Sequence, residues 1–77
     1  MKYIIFNDNL PVIFPDDIHH IQVANGLREY KPTSAGHMTV GLDEDEELTI
    51  MTHGEAETIG MEPGNDDEEI LTEFLNE

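Results

Sequence analysis

Cysteine is absent from this sequence and basic side chains are scarce, and both shortages exclude whole classes of function. Without cysteine the chain can form neither a disulfide framework nor a thiolate metal site, and no redox chemistry can run through sulfur. Long apolar runs are also missing. The run near the start, Tyr3–Phe6, is too short for the core of a signal peptide and far too short to span a bilayer. We therefore expect a cytoplasmic protein with no membrane attachment.

The chain has three basic residues, Lys2, Arg28 and Lys31, against 18 acidic ones, which gives a formal net charge of −15. No lysine or arginine follows Lys31. A field of this sign disfavours direct binding to nucleic acid or to an anionic membrane. A protein partner should therefore present a basic surface, unless the charge serves solubility alone.

The strongest pattern in the chain runs from residue 37 to residue 53 and predicts a β-hairpin. Apolar and polar residues alternate on both sides of five consecutive acids, Asp43–Glu47, as they do in half-buried strands. A loop over these acids pairs Leu42 with Leu48 and brings the apolar side chains of both strands onto one face. A shift of one residue would separate them, so the register is well defined.

The first part of the chain predicts a shorter hairpin and then a helix. Tyr3–Phe6 and Leu10–Phe14 are apolar runs on either side of an Asn/Asp turn, and Pro11 favours an edge position for the second strand. Asp16–Asp17 suits the start of a helix, and Asn25–Gly26 suits its end in a left-handed cap. The expected apolar stripe of this helix is Ile18, Ile21, Ala24 and Leu27, with Val23 at its margin and His20 inside the arc.

The last part predicts a second helix. Glu55–Gly64 has mixed polarity with glycine and proline breakers, so we expect mostly loop there. Asn65 is the expected N-cap, with Glu68 completing a capping-box pair. The apolar face of this helix is formed by Ile70, Leu71, Phe74 and Leu75.

The predicted order is ββαββα in a chain of 77 residues, which has room for one small domain, residues 1–77. Arg28–Gly36, with its proline and glycine, is expected to be a loop between the first helix and the central hairpin. We predict an α+β fold in two layers, a four-stranded and mainly antiparallel sheet with both helices packed on one face.

The sequence offers little for catalysis. No glycine-rich phosphate loop precedes a helix, and Ser34, the one serine, has no recognisable motif around it. Acid–base chemistry needs a carboxylate that is desolvated or paired, and nothing in the pattern marks any acid as buried. We predict a protein that is not an enzyme and has no cofactor.

A metal site is an alternative hypothesis. The predicted register places His37 directly opposite His53, with Cβ atoms about 5 Å apart, close enough for two imidazoles to share a cation. Glu55 could supply a third ligand. The other interpretation is a pair of histidines on the sheet surface with no metal, since no groups that would orient the imidazoles are evident.

The acidic surface supports the leading hypothesis, in which carboxylates imitate a line of phosphates and occupy a basic groove of a nucleic-acid-binding protein. A structural or assembly component, self-associating through an edge strand or the last helix, is a further alternative. The expected partner-binding residues are Asp43, Glu44, Asp45, Glu46, Glu47, Asp66, Asp67, Glu69 and Glu73.

From Ser34 onward the chain resembles small proteins encoded by bacteriophages and prophages. Ser34-Ala35-Gly36 matches a strand entry of that pattern, the segment Gly54–Met61 is similar to its second motif, and Asp67–Leu71 to its third. The similarity covers about half of the chain. It implies a phage or prophage origin, and hence an accessory protein in the host cytoplasm, but no mechanism. Joined to the acidic-decoy hypothesis, it gives a host protein, such as a defence effector, as the expected partner.

Overall fold

The computed structural model describes residues 1–76, and in it the chain forms a four-stranded antiparallel sheet with two α-helices. The strands are β1 (Lys2–Phe6), β2 (Leu10–Phe14), β3 (Pro32–Leu42) and β4 (Leu48–His53). The helices are α1 (His20–Gly26) and α2 (Asp67–Leu75), and a 3-10 turn covers Glu57–Ile59. The strands lie in the order β2-β1-β3-β4. The predicted α+β class, the order ββαββα and the antiparallel sheet are confirmed.

The central hairpin has the predicted register, with His37 opposite His53 and Leu42 opposite Leu48. Its inner half belongs to the core, where Met38 is buried. Its outer half projects beyond the rest of the sheet, because β1 pairs with β3 only as far as His37. Leu42 is therefore 68% exposed although it continues the apolar alternation of the strand.

Strand β3 begins earlier than predicted, so the expected loop over Arg28–Gly36 is wrong from Pro32 onward. The segment Pro32–Gly36 pairs with β1 and is mostly buried. Small side chains are required here, since a Cβ on Gly36 would lie 2.8 Å from the Cγ atom of Pro63. Serine, alanine and glycine have weak strand propensity, and pairing with the apolar β1 overrides it.

The two helices pack on opposite faces of the sheet, so the predicted single covered face is wrong. Tyr3 and Ile5 point toward α2 and form a core with Met38, Ile50 and Leu71. The alternate β1 residues point toward α1 and the 3-10 turn, in a second core of Ile4, Phe6, Phe14, Ala35 and Ala56. The unbroken apolar run of β1 reflects this burial on both faces, since a strand with one wet face would alternate.

Helix α1 starts later than predicted and packs a different face on the sheet. It begins at His20 after His19, whose N–H is accepted by the Gln22 side chain at 2.8 Å, and Asp16–Asp17 lies in the preceding turn. The left-handed cap is also absent from this described helix end: the Leu27 N–H bonds instead to the carbonyls at the end of the helix. The predicted stripe is wrong at two positions, Ile18 and Ile21, which are exposed. The side chains that pack on the sheet are His20, Val23, Ala24 and Leu27.

Both outer edges of the sheet are blocked. Strand β2 is an edge strand, as predicted, and Pro11 leaves it one donor short. Strand β4 is covered by α2, where Asn76 accepts the Leu48 N–H at 3.2 Å and donates to the Leu48 carbonyl at 3.0 Å. Glu68 accepts the N–H of Thr52 at 2.9 Å.

The predicted capping box between Asn65 and Glu68 is wrong. Helix α2 begins at Asp67, and the Glu68 carboxylate bonds to β4 instead.

Candidate functional site

The tip of the central hairpin presents its acids to solvent, and Asp43 organises them. Asp43 pairs its N–H with the Glu47 carbonyl at 3.0 Å, and its carboxylate accepts the N–H groups of Asp45 and Glu47 at 2.9 and 3.0 Å. Glu46 takes a left-handed conformation, with φ of 61°. All five residues of Asp43–Glu47 are exposed. Asp43 therefore shapes the turn, and within residues 1–76 no hydrogen bond or ion pair involves the carboxylates of the other four.

Helix α2 carries a second set of exposed acids and leads toward the tip. Its start is held to β4 by Glu68 at Thr52, and its end is held by Asn76 at Leu48, the residue that follows the tip. The nine residues of α2 rise by about 1.5 Å each, so the helix spans about 13 Å along β4. Asp66, Glu69 and Glu73 are exposed along it.

Asp67 is different, and its prediction as a partner-binding residue is wrong. The side chain is 3% exposed and accepts three internal hydrogen bonds: from the Tyr3 hydroxyl at 2.6 Å, the Ser34 hydroxyl at 2.6 Å and the Gly64 N–H at 2.8 Å. Burial raises the pKa of the Tyr3 hydroxyl, and its bond to Asp67 raises that pKa further. This carboxylate joins β1, β3 and the start of α2, and it faces the interior.

The sequence does not distinguish Asp67 from its neighbours, because it lies within the run of four acids Asp66–Glu69. The residues that could have predicted a buried acceptor are the two that donate hydrogen bonds to Asp67 through their hydroxyl groups. Tyr3 stands inside a strand buried on both faces and Ser34 inside a buried strand segment, and buried hydroxyls need acceptors. Since the Ser34 hydroxyl donates to a carboxylate that two other donors also hold, the cluster acts as a structural brace.

Four aromatic rings form a row on the α1 face of the sheet. The centroids of Phe14 and His20 lie 5.3 Å apart, those of His20 and His37 5.5 Å, and those of His37 and His53 5.8 Å. His20 is buried and its Nε2–H donates to the Gly36 carbonyl at 2.8 Å. Its burial lowers the pKa of the imidazole, although the bond to Gly36 acts in the opposite direction. The hairpin register predicted the pair His37 and His53, but only the packing of α1 adds His20.

An open cleft of about 420 Å³ lies beside this row. It is lined by Lys2, His19, His20, His37, Gly54, Glu55, Glu57 and Thr58. Among residues 1–76, no three side chains of His, Cys, Asp or Glu are placed together to hold a metal ion. The His37 and His53 rings stack with an interplanar angle of 21°, and the predicted third ligand, Glu55, does not complete a site with them.

Comparison with family models, with curated proteins and with solved structures gives no match for this chain. The resemblance to bacteriophage proteins therefore stays a hypothesis. Neither helix described in residues 1–76 is long and apolar enough to cross a membrane.

Proposed function

We propose that the protein acts without catalysis, by binding a basic surface of another protein through what we call the acidic band. The band consists of the hairpin tip Asp43–Glu47 together with Asp66, which immediately precedes α2, and Glu69 and Glu73 on α2. Asp67 is not part of it. The sharper form of the proposal is a decoy, in which the band takes the place of nucleic acid in the groove of a nucleic-acid-binding protein.

One observation supports this proposal most strongly: α2 is fastened along β4 at both ends. The bonds from Glu68 to Thr52 and from Asn76 to Leu48 lay the helix along β4 and place its C-terminal end beside Leu48, the residue that follows the tip. Exposed acids therefore lie on two neighbouring elements, the tip of the central hairpin and the helix packed beside β4. Such an arrangement focuses a field that attracts cationic surfaces and speeds their association.

The basic side chains before β3 lie far from the hairpin tip and leave the tip without a compensating positive charge. Arg28 and Lys31 precede β3, which has 11 residues; at about 3.3 Å per residue, its far end is roughly 33 Å away. Lys2 donates to the Ile18 carbonyl on the α1 face. Within residues 1–76, the one close ion pair joins the Met1 amino group to Asp16, outside the band.

The test is affinity capture from host lysate with a tip variant that keeps the turn. Glu44→Gln, Asp45→Asn, Glu46→Gln and Glu47→Gln together remove four charges and leave Asp43 in place. A matched control removes four exposed charges elsewhere, with Asp8→Asn, Asp17→Asn, Glu29→Gln and Glu62→Gln. We expect the wild type and the control to enrich basic nucleic-acid-binding proteins, and the tip variant to lose most of them.

Salt and competitor complete the design. A phosphate-like contact weakens steeply between about 50 and 200 mM salt, so captured proteins should elute over that range and duplex DNA should displace them. Proteins that persist unchanged at high salt would contradict the proposal. Equal losses with both variants would show that net charge alone acts, and the band would then have no special role.

A further inference from the structure

Strand β3 has a free edge beyond the end of β1. The Met38 N–H bonds to the Met1 carbonyl at 2.8 Å, so this backbone position faces β1 and not β4. Because backbone groups of alternate residues point the same way along an antiparallel strand, those of Val40 and Leu42 also face away from β4. Within residues 1–76 no strand lies beside them, since the pairing of β1 with β3 ends at His37.

The side chains around this edge are unusually apolar for an exposed position. Val40 is 38% and Leu42 68% exposed on the α2 face of the sheet, and Met51 is 69% exposed on the other face. Gly41 lies between Val40 and Leu42 on the Met51 face and faces Thr49 across the hairpin. Its missing side chain leaves a notch in which a neighbouring strand could place a large side chain.

We propose that the β3 segment Thr39–Leu42 is a strand-addition site, where an extended segment of a basic protein pairs as a fifth strand. Four backbone groups, the N–H and C=O of Val40 and Leu42, would give the affinity, and the alternating pockets beside them would give the selectivity. This inference rests on the proposed function and names the part of the partner that would bind.

Charge determines which occupant fits. The edge ends at the acids Asp43–Glu47, so a segment carrying Lys or Arg at the end that reaches the tip gains attraction there. A second copy of this chain would bring a charge of −15 against the same acids, and like charges close together are repulsive. The other two edges, at Pro11 and beneath Asn76, are closed to an added strand.

The probe is a synthetic heptapeptide that alternates lysine with valine or tyrosine, Lys-Val-Lys-Tyr-Lys-Val-Lys, added to the full chain. Amide hydrogen exchange followed by NMR measures protection at each backbone N–H. We expect the peptide to slow exchange at Val40 and Leu42 by at least about tenfold, with salt-sensitive affinity. Val40→Pro, which removes an outward N–H and no bond to β4, should weaken binding about tenfold or more. Val40→Ala, which keeps the N–H and trims only the side chain, should weaken binding much less than Val40→Pro does.

A second measurement keeps the test independent of how well Val40→Pro folds. N-methylation of every second residue removes the N–H groups from one edge of the peptide and leaves the other edge intact. Because an added strand pairs through one edge, only one of the two methylation patterns should abolish binding. Salt-sensitive binding with unchanged exchange at Val40 and Leu42 would overturn strand addition while supporting the acidic band. Absence of peptide binding would also overturn strand addition. The capture experiment with the tip variant would then test the binding role of the acidic band separately. Protection that rises with protein concentration alone would identify a second copy as the occupant and overturn the basic partner.

Discussion

Carboxylates at two places in this molecule have opposite surroundings. Asp67 is enclosed between β1, β3 and the start of α2, with three donors on its oxygens. The acids Asp43–Glu47 stand at the end of a hairpin that projects into solvent, and only Asp43 bonds to its own turn. A carboxylate can be buried only where donors replace its water, so the buried acid supports the fold and the exposed acids are available to a partner.

The largest effect should come from breaking the enclosed site. Asp67→Ala leaves the hydroxyls of Tyr3 and Ser34 buried without their acceptor, which we expect to lower the free energy of unfolding by about 3 kcal/mol or more. Urea denaturation followed by circular dichroism measures this change. The neighbouring Asp66→Ala is the control and should stay within about 0.5 kcal/mol of the wild type, since Asp66 is exposed. Equal losses for the two variants would show that the buried hydrogen bonds contribute little.

The exposed acids should behave in the opposite way. The four-charge tip variant should change the free energy of unfolding by no more than about 0.5 kcal/mol, because Asp43 keeps the bonds of the turn. Asp43→Ala should lower it by about 1 kcal/mol, since two N–H groups lose their shared acceptor. The same denaturation curves measure both variants. A large loss from the four-charge variant would show that those acids support the fold as well.

A smaller change in the free energy of unfolding should come from the protonation of His20 as the pH is lowered. Burial lowers the pKa of this imidazole below its ordinary value of 6.5, so the unfolded chain takes up a proton that the folded chain resists. The contribution of neutral His20 to stability is fully present above pH 6.5 and is lost as pH falls from there to the lowered pKa. His37 and Lys2 beside it oppose its charging further.

The comparison variant is His20→Gln, which keeps an N–H donor for the Gly36 carbonyl and cannot titrate in this range. When the pH is lowered from about 7.5 to about 5, the free energy of unfolding should fall more in the wild type than in this variant. Midpoints of urea denaturation measure the difference. Effects of the many exposed carboxylates are common to both proteins and cancel in the difference. Parallel pH profiles would show that His20 does not charge on unfolding.

The smallest expected effect is the response to zinc. His37 and His53 lie opposite each other, but no third ligand among the described residues joins them. Zinc titration followed by NMR should therefore leave both imidazole signals in place at equimolar metal. Saturable shifts at both rings, with the His37 shift lost in His53→Ala, would contradict this expectation and support the metal hypothesis.

Local patterns predicted the central hairpin well because strand register depends on alternation along the chain, whereas the non-alternating start of β3, Pro32–Gly36, was predicted as a loop. The pairing of Leu42 with Leu48 follows from two alternating segments around one turn, and it is confirmed. Helix α1 was predicted less well, since Ile18 and Ile21 fit a helical stripe but lie in the exposed turn and on the exposed face. A stripe of apolar residues does not say which of them the sheet will cover.

The order of elements, the register of the central hairpin and the excess of negative charge all follow from the amino-acid sequence. Each of these depends on neighbours in the chain or on composition. Three other features appear only in the folded chain. The helices lie on opposite faces of the sheet, Asp67 is buried while Asp43–Glu47 are exposed, and β3 extends beyond the end of β1 at Val40 and Leu42. These features depend on contacts between residues far apart in the chain, where donors, apolar surface and strand ends meet only after folding.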